Sequence, residues 1–162
     1  MSGDRELVQI VDAALAEANR KAGAWVVCRP GCFECCMGPF PISQLDAARL
    51  RTGLADLAAA DPARAARVRE RAREAVGQMG DDEPCPALDP DTGTCDLYAA
   101  RPLTCRTFGP AIRWGGDAVG ICELNFQGAA DEEIAACVVE IQTDEPEEAE
   151  GTQTTVAFAL LN

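Results

Sequence analysis

Four cysteines lie within nine residues near the start of the chain, in the spacing C-x3-C-x2-C-C. Short spacings of this kind let one turn of backbone aim several sulfurs at a common point, as a soft metal ion or an iron–sulfur cluster requires. Gly31 allows such a turn, because glycine adopts positive φ without strain. The stretch therefore predicts the nucleus of a metal site, with ligands at Cys28, Cys32, Cys35 and Cys36.

The adjacent pair Cys35–Cys36 needs its own interpretation. Neighbouring side chains point in different directions, so we do not expect both thiols to bind one ion in the same way. Two metals, or one cluster with a separate role for the other thiol, fit the pair better. A thiol-redox centre built on this pair is a weaker hypothesis, because a conventional C-x-x-C motif in a βαβ context is lacking.

A second group of cysteines follows in the middle of the chain. The residues 89–93, Asp-Pro-Asp-Thr-Gly, favour a turn, so Cys85 and Cys95 are expected to flank a tight loop. We predict that this stretch and the opening one share ligands in one composite site. Cys137 lies on the apolar face of a predicted helix, where a buried packing role is the default. The predicted metal ligands are therefore Cys28, Cys32, Cys35, Cys36, Cys85, Cys95, Cys105 and Cys122.

Composition limits the classes of function. Fourteen basic and 27 acidic residues give a formal charge of −13, which disfavours binding to nucleic acid and to anionic membranes. No apolar run reaches the length of a membrane span, and the first residues lack a signal peptide's apolar stretch, so we expect a cytoplasmic protein. Nine cysteines, an odd number, fit reduced thiols holding metal better than disulfides. The absence of histidine makes the site sulfur-dominated and excludes histidine-based acid–base chemistry.

Periodicity and capping residues predict four helices, and Pro102 marks the start of a further short helix before Cys105. The first covers residues 5–20, the second begins after Ser43 and ends or breaks at Gly53, and the third runs from the Asp61-Pro62 start to about residue 79. Asp131 is expected to cap the fourth. The apolar face of the first helix comprises Leu7, Ile10, Val11, Ala14, Leu15 and Ala18, and that of the fourth comprises Ile134, Cys137, Val138 and Ile141.

Three segments have strand character. Residues 25–27 form a short β-prone run, and residues 112–121 predict a hairpin around Gly115-Gly116. The apolar end, residues 154–161, is an edge strand or a docking tail. We predict an α+β fold, mainly α, with a small cysteine-rich metal-bound core in loops, packing helices and one short β-hairpin. Residues 1–143 would form a single domain, and residues 144–162 an acidic linker and an apolar C-terminal tail.

Five arginines, at positions 64, 67, 69, 71 and 73, lie along the third predicted helix. They indicate either a docking face for an acidic protein partner or a nucleotide phosphate, or an ordinary solvated helix face. We favour the solvated face, because no aromatic residues interleave with the arginines. The C-terminal tail is the other candidate surface for a protein partner.

These cysteine motifs resemble the YkgJ-type cysteine-cluster family, described as zinc- or iron-chelating. That family has a C-x2-C-x2-C-C opening, whereas the first gap here is three residues. Its middle motifs match at residues 85–88, Cys-Pro-Ala-Leu, and at residues 95–106, which carry Cys-x2-Tyr-x2-Arg-Pro-x2-Cys-Arg. The resemblance covers about residues 25–125 and implies metal or cluster binding.

Three further residues of the matching motif have a physical role available. Arg101 and Arg106 would offset the negative charge of clustered thiolates, and Tyr98 could donate a hydrogen bond to a sulfur. A structural salt bridge or a core position is the equal alternative for all three.

Two functions stay open at this point. One is an iron–sulfur or iron site with a redox role, which the clustered cysteines and the absence of histidine favour. The other is a non-enzymatic zinc protein, with structural four-cysteine sites or a role in metal chelation and carriage. The sequence identifies no catalytic residue and leaves enzymatic activity undecided.

Overall fold

The computed structural model describes residues 2–77, 80, 82–142 and 153–162. The helices are α1 (Ser2–Ala22), α2 (Gln44–Ala60), α3 (Pro62–Ala75), α4 (Leu103–Thr107), α5 (Asp131–Cys137) and α6 (Val156–Leu161). The strands are β1 (Pro41–Ile42), β2 (Leu88–Asp89), β3 (Thr94–Cys95), β4 (Ile112–Trp114), β5 (Val119–Gly120), β6 (Val139–Ile141) and β7 (Thr154–Thr155). Short 3-10 turns cover Gly23–Trp25, Glu34–Cys36 and Tyr98–Ala100. The predicted mainly α, α+β class is confirmed.

The chain forms two compact units. Unit 1 contains residues 1–29 and 103–146, and unit 2 contains residues 30–102 and 147–162. The acidic linker expected after residue 143 falls largely outside the described residues. Residue 79, near which the third helix was expected to end, also lies outside them. None of the described helices is long and apolar enough to cross a membrane.

Unit 1 is built on the long helix α1, which packs against α4, α5, β4 and β6. The predicted first helix is thus confirmed, although Ile10, expected on its apolar face, is 42% exposed. The sheet has the order β5-β4-β6, with β5 antiparallel and β6 parallel to β4. The β4–β5 pair confirms the predicted hairpin. The main core of unit 1 comprises Leu7, Val11, Ala18, Leu103, Ile112 and Ile141.

Three expectations in unit 1 were wrong. A 3-10 turn at Gly23–Trp25 replaces the strand expected at residues 25–27. The cap of α5 is Ala130, whose N–H donates to the Glu133 carboxylate, and not Asp131. The α5 helix ends at Cys137, and the β-branched residues that follow form β6 beside β4. Ile141 therefore lies on a strand and not on the face of α5.

Unit 2 packs α2, α3 and α6 around one core. The two predicted starts are confirmed: Ser43 accepts from the Asp46 N–H (2.9 Å), and Asp61 accepts from the Arg64 N–H (3.0 Å). The C-terminal segment was expected to be an edge strand or a docking tail, and it begins with the two-residue strand β7, which pairs with β1. The rest of it is the helix α6, which docks on α2 and α3 and buries Val156, Ala157, Ala159 and Leu160. An apolar helix of this kind is stable because its neighbours bury it on most sides.

Gly53 was expected to end or break α2, but the helix continues through it. A Cβ at this position would lie 2.3 Å from the Cβ of Ala100. The glycine therefore serves a close approach between α2 and the Tyr98–Ala100 turn, at a modest cost in helix propensity.

Candidate metal centre

The two middle cysteines of unit 2 lie at the ends of a small hairpin. Cys95 on β3 pairs with Leu88 on β2, and the Leu88 N–H donates to the Cys85 carbonyl oxygen at 2.9 Å. The turn is closed by a 2.8 Å bond from the Gly93 N–H to the Asp89 carbonyl oxygen. The expected tight loop between Cys85 and Cys95 is confirmed.

The opening cysteine stretch binds this hairpin through backbone. The Cys85 N–H donates to the Cys36 carbonyl oxygen at 2.6 Å, and the Gly38 N–H donates to the Glu83 carbonyl oxygen at 2.7 Å. Met37 and Pro84 form an isolated antiparallel bridge at the same place. Five of the eight predicted ligands thus belong to unit 2, on segments that pair with each other: Cys32, Cys35, Cys36, Cys85 and Cys95.

A second contact joins the same two segments at the tip of the hairpin. Gly93 has φ +65°, and a Cβ there would lie 3.1 Å from the Gly31 carbonyl oxygen and 3.4 Å from Phe33 Cδ1. Gly31 itself has φ +90°. Since only glycine adopts these angles easily, the two glycines let the loop before Cys32 lie against the hairpin.

The vicinal thiols interact with each other and with the hairpin thiols. The Cys36 thiol shares a hydrogen bond with the Cys35 sulfur, which lowers the pKa of Cys35 to about 6 and raises that of Cys36. Burial raises the Cys36 pKa further, and so does the cost of a second thiolate beside Cys35, Cys85 and Cys95. The two thiols therefore interact, and the expectation that they play different roles toward a metal stays a prediction.

Burial is the main influence on the pKa values of the two hairpin thiols. It raises the pKa of Cys85 to about 11 and also raises the pKa of Cys95. The positive charge of Arg71 lowers the pKa of Cys85, and that of Arg101 lowers the pKa of Cys95, so both partly offset the effect of burial. A buried thiol is neutral at neutral pH, so a metal that binds here must displace its proton.

The donor set of unit 2 fits a metal in its chemistry. Thiolates are the preferred ligands of zinc and of iron–sulfur clusters, and four thiols of this unit interact electrostatically. Among the described residues, however, no group of three or more cysteine, aspartate or glutamate side chains has the arrangement of a formed metal site.

Two arginines of α3 hold the cysteine hairpin. The Asp96 side chain, 1% exposed, accepts from Arg64 Nε (2.5 Å) and from Arg71 Nη2 (2.6 Å). Arg71 Nε also donates to the Pro86 carbonyl oxygen at 2.9 Å. Part of the arginine row therefore binds the segment that carries Cys85 and Cys95, which neither interpretation of this helix anticipated. The exposed pair Arg73–Glu70 fits the expected solvated face.

Tyr98 and Arg101 interact with one another. Arg101 Cζ lies 3.9 Å from the centre of the Tyr98 ring, and Arg101 Nη1 donates to the Tyr98 carbonyl oxygen. The Tyr98 ring is 63% exposed. A hydrogen bond from Tyr98 to a sulfur stays a prediction, whereas the charge of Arg101 does act on Cys95.

Unit 1 holds the remaining predicted ligands, and two of them meet at one loop. Cys122, which is 5% exposed, donates its N–H to the Gly109 carbonyl oxygen at 3.0 Å. Asn125 Nδ2 donates to the same oxygen at 2.6 Å and lies 3.5 Å from Cys28 Sγ. Cys28, Cys122 and Asn125 thus form a second cysteine-containing cluster. Cys28 belongs to unit 1, and the other opening cysteines belong to unit 2.

The last cysteine and arginine of the matching motif lie on α4. Cys105 is partly buried, and Arg106 Nη1 binds both carboxylate oxygens of Asp12 at 2.7 Å. The Arg106 ion pair is the structural alternative that the sequence left open, and a role toward thiolates stays a prediction.

Cys137 packs in the core of unit 1 and donates weakly to the Lys21 carbonyl oxygen, as suits a packing cysteine.

A surface pocket of about 380 Å³ lies in unit 1, and its lining contains no cysteine. The lining residues are Arg113, Val119, Asp131, Ile134, Ala135, Val138 and Glu140.

Sequence reasoning missed two residues of the candidate sites. Asp96 directly follows Cys95, and an acidic residue next to a predicted thiolate gave no reason to expect a buried arginine partner. Asn125 lies three residues after Cys122 in a segment without a motif. A polar residue three positions after a ligand is a common turn signal, but it does not reveal a partner near residue 28.

Comparison with known proteins places the chain in a family of cysteine-cluster proteins. The chain belongs to the CxxCxxCC family, whose model is described as "Putative zinc- or iron-chelating domain" and matches residues 27–138. The matched region contains all nine cysteines. No curated protein and no solved structure matches the chain significantly. The family resemblance inferred from the motifs is confirmed, and zinc or iron binding through cysteines is the function that it indicates.

Proposed function

We propose that this protein binds iron through cysteine thiolates, as an iron ion or an iron–sulfur centre with a redox role. Cys35, Cys36, Cys85 and Cys95 would supply the ligands in unit 2. The observation that carries the proposal is the 2.6 Å hydrogen bond from the Cys85 N–H to the Cys36 carbonyl oxygen. It joins two cysteine stretches that are far apart in sequence, and nothing in their separate secondary structure requires that pairing.

The donor chemistry favours iron. The chain has no histidine, so the nitrogen ligands common in zinc and mononuclear iron sites are absent. Iron–sulfur clusters are held by cysteine thiolates alone in their commonest forms. A four-cysteine zinc site uses the same ligands, and the family description covers both metals. Zinc is therefore the competing outcome of the experiment below.

Several residues of unit 2 would support the thiolates. Arg71 and Arg101 place positive charge near Cys85 and Cys95, which offsets part of the negative charge that four thiolates bring. Cys36, Cys85 and Cys95, whose pKa values are raised, would release their protons on binding a metal. Bound iron would supply one-electron chemistry, while the chain holds the sulfurs on the hairpin and the 3-10 turn and shields them in part from water.

The other predicted ligands remain part of the proposal. Cys32 lies in the loop before the 3-10 turn of unit 2, and Cys28, Cys105 and Cys122 lie in unit 1. They would complete the eight-cysteine set. We also place the protein in the cytoplasm, since a reducing compartment keeps nine thiols free.

Anaerobic purification followed by metal analysis and a visible absorption spectrum tests the proposal. We expect iron bound to the chain, with the broad visible absorption of sulfur-to-iron charge transfer. A colourless protein with stoichiometric zinc would instead establish the zinc protein. A protein with neither metal, after purification in the presence of both, would contradict metal binding.

A further inference from the structure

The amide of Asn125 is buried and fixed at both ends. The residue is 4% exposed. Its Oδ1 accepts from the Val27 N–H at 3.0 Å, and its Nδ2 donates to the Gly109 carbonyl oxygen at 2.6 Å. One partner is a donor and the other an acceptor, so the backbone determines which end of the amide is oxygen. The orientation of this side chain therefore follows from hydrogen bonding alone.

In this orientation, the amide connects two of the predicted ligands. Nδ2 lies 3.5 Å from Cys28 Sγ, within reach of a hydrogen bond to sulfur. Asn125 N–H donates to the Cys122 carbonyl oxygen at 2.9 Å, and the Cys122 N–H shares the Gly109 carbonyl oxygen with the amide. Asn125 thus binds the backbone at Val27, directly before Cys28, at Cys122 and at the Gly109 loop.

We propose that Asn125 is a positioning residue that holds Cys28 as a metal ligand by donating Nδ2–H to its sulfur. The inference rests on the proposed function, because it needs a metal bound by thiolates. A thiolate accepts hydrogen bonds, and a buried donor fixed by backbone sets its direction at no further entropic cost. Cys28 itself is exposed and lies next to a turn, so no core packing orients it.

The nearly isosteric change Asn125→Asp tests the polarity of this arrangement. It replaces Nδ2 with an oxygen that repels both the Gly109 carbonyl oxygen and the Cys28 thiolate. Asn125→Ala removes the amide without adding charge. Asn19→Asp is the matched control, because it makes the same substitution on the exposed surface of α1 in the same unit.

The full chain is purified anaerobically with its metal, and one half of the sample is then treated with a chelator. Both halves receive a short pulse of iodoacetamide, and mass spectrometry measures how far each cysteine has been alkylated. In the wild type and in Asn19→Asp, we expect metal to slow alkylation of Cys28 and of the unit 2 thiols. In both Asn125 variants, the protection of Cys28 by metal should fall by about tenfold, while the unit 2 thiols stay protected. A loss of this size is typical when the hydrogen bond that supports a metal ligand is removed.

The outcomes separate the inference from the proposed function. If metal protects no cysteine in the wild type, the proposed function fails, and this inference fails with it. If metal protects the unit 2 thiols but Cys28 is protected equally in the wild type and the Asn125 variants, the positioning role alone is overturned. Cys137, buried in unit 1, reports folding. Rapid alkylation of Cys137 in both Asn125 variants would show that Asn125 is a structural residue only, which also overturns the inference.

Discussion

Cys36 and Cys85 are joined by a 2.6 Å hydrogen bond from the N–H of Cys85 to the carbonyl oxygen of Cys36. The bond lies next to the Met37–Pro84 bridge, so the backbone that carries one thiol fixes the backbone that carries the other. A change that separates the opening loop from the hairpin should therefore weaken metal binding even when every cysteine is kept.

Gly93→Ala is such a change. The new Cβ would lie 3.1 Å from the Gly31 carbonyl oxygen and 3.3 Å from Gly31 Cα, at a residue with φ +65°. We expect a loss of about 1–2 kcal/mol in the free energy of unfolding from the backbone conformation, and an additional loss of metal affinity from the displaced loop. Urea unfolding and competition with a chelator measure the two effects.

Gly115→Ala is the matched control for this substitution. Gly115 has φ +62°, but a Cβ there would have no atom within 4 Å. The control should show the backbone cost without the loss of metal affinity. If both variants keep wild-type metal affinity, the contact between Gly31 and Gly93 has no influence on the site.

Asp96→Asn should destabilise unit 2. It leaves Arg64 and Arg71 facing a neutral amide at a site where the Asp96 side chain is 1% exposed. Removal of one partner from a fully buried pair costs about 3–5 kcal/mol, and we expect about 2 kcal/mol here because both arginines reach solvent in part. Glu70→Gln breaks the exposed pair with Arg73 and should cost less than about 0.5 kcal/mol. Equal unfolding midpoints for the two variants would contradict this account.

Removal of metal should lower the melting temperature. The segments that carry the thiols of unit 2 have only two-residue strands and a 3-10 turn, so little else orders them. A ligand present at about a thousand times its dissociation constant stabilises by about 4 kcal/mol, which corresponds to about 10 °C for a chain of this size. The same chelator should leave the melting temperature of Cys36→Ala nearly unchanged. An unaltered melting curve after verified metal loss from the wild type would contradict the prediction.

Local signals in the sequence predicted the elements that depend on neighbouring residues. Ser43 and Asp61 were recognised as helix caps, and the turn at residues 89–93 was expected, because these residues act through backbone within three positions. The type of the C-terminal segment was not predictable in this way. Its β-branched and apolar residues suit a strand or a buried helix, and packing against α2 and α3 decides for the helix.

The candidate site shows the same limit. The clustered cysteines predicted that the opening and middle stretches come together, and the backbone bond between Cys36 and Cys85 joins them. The set of ligand cysteines stays a prediction. Asp96 and Asn125 were missed because their partners, Arg71 and the residues around Cys28, are distant in the chain. Gly53 was misread for a related reason: its neighbour Ala100 is visible only in the fold.

The metal content of three variants, purified anaerobically beside the wild type, tests the central claim most directly. We predict that Cys36→Ala and Cys85→Ala each lose the metal bound by unit 2, because each removes one thiolate of a shared set. Cys137→Ala, 8% exposed in the core of unit 1, should keep the wild-type metal content and lose only about 1 kcal/mol of stability. Unchanged metal content in Cys36→Ala and Cys85→Ala, or an equal loss in all three variants, would contradict a thiolate site formed by these two stretches.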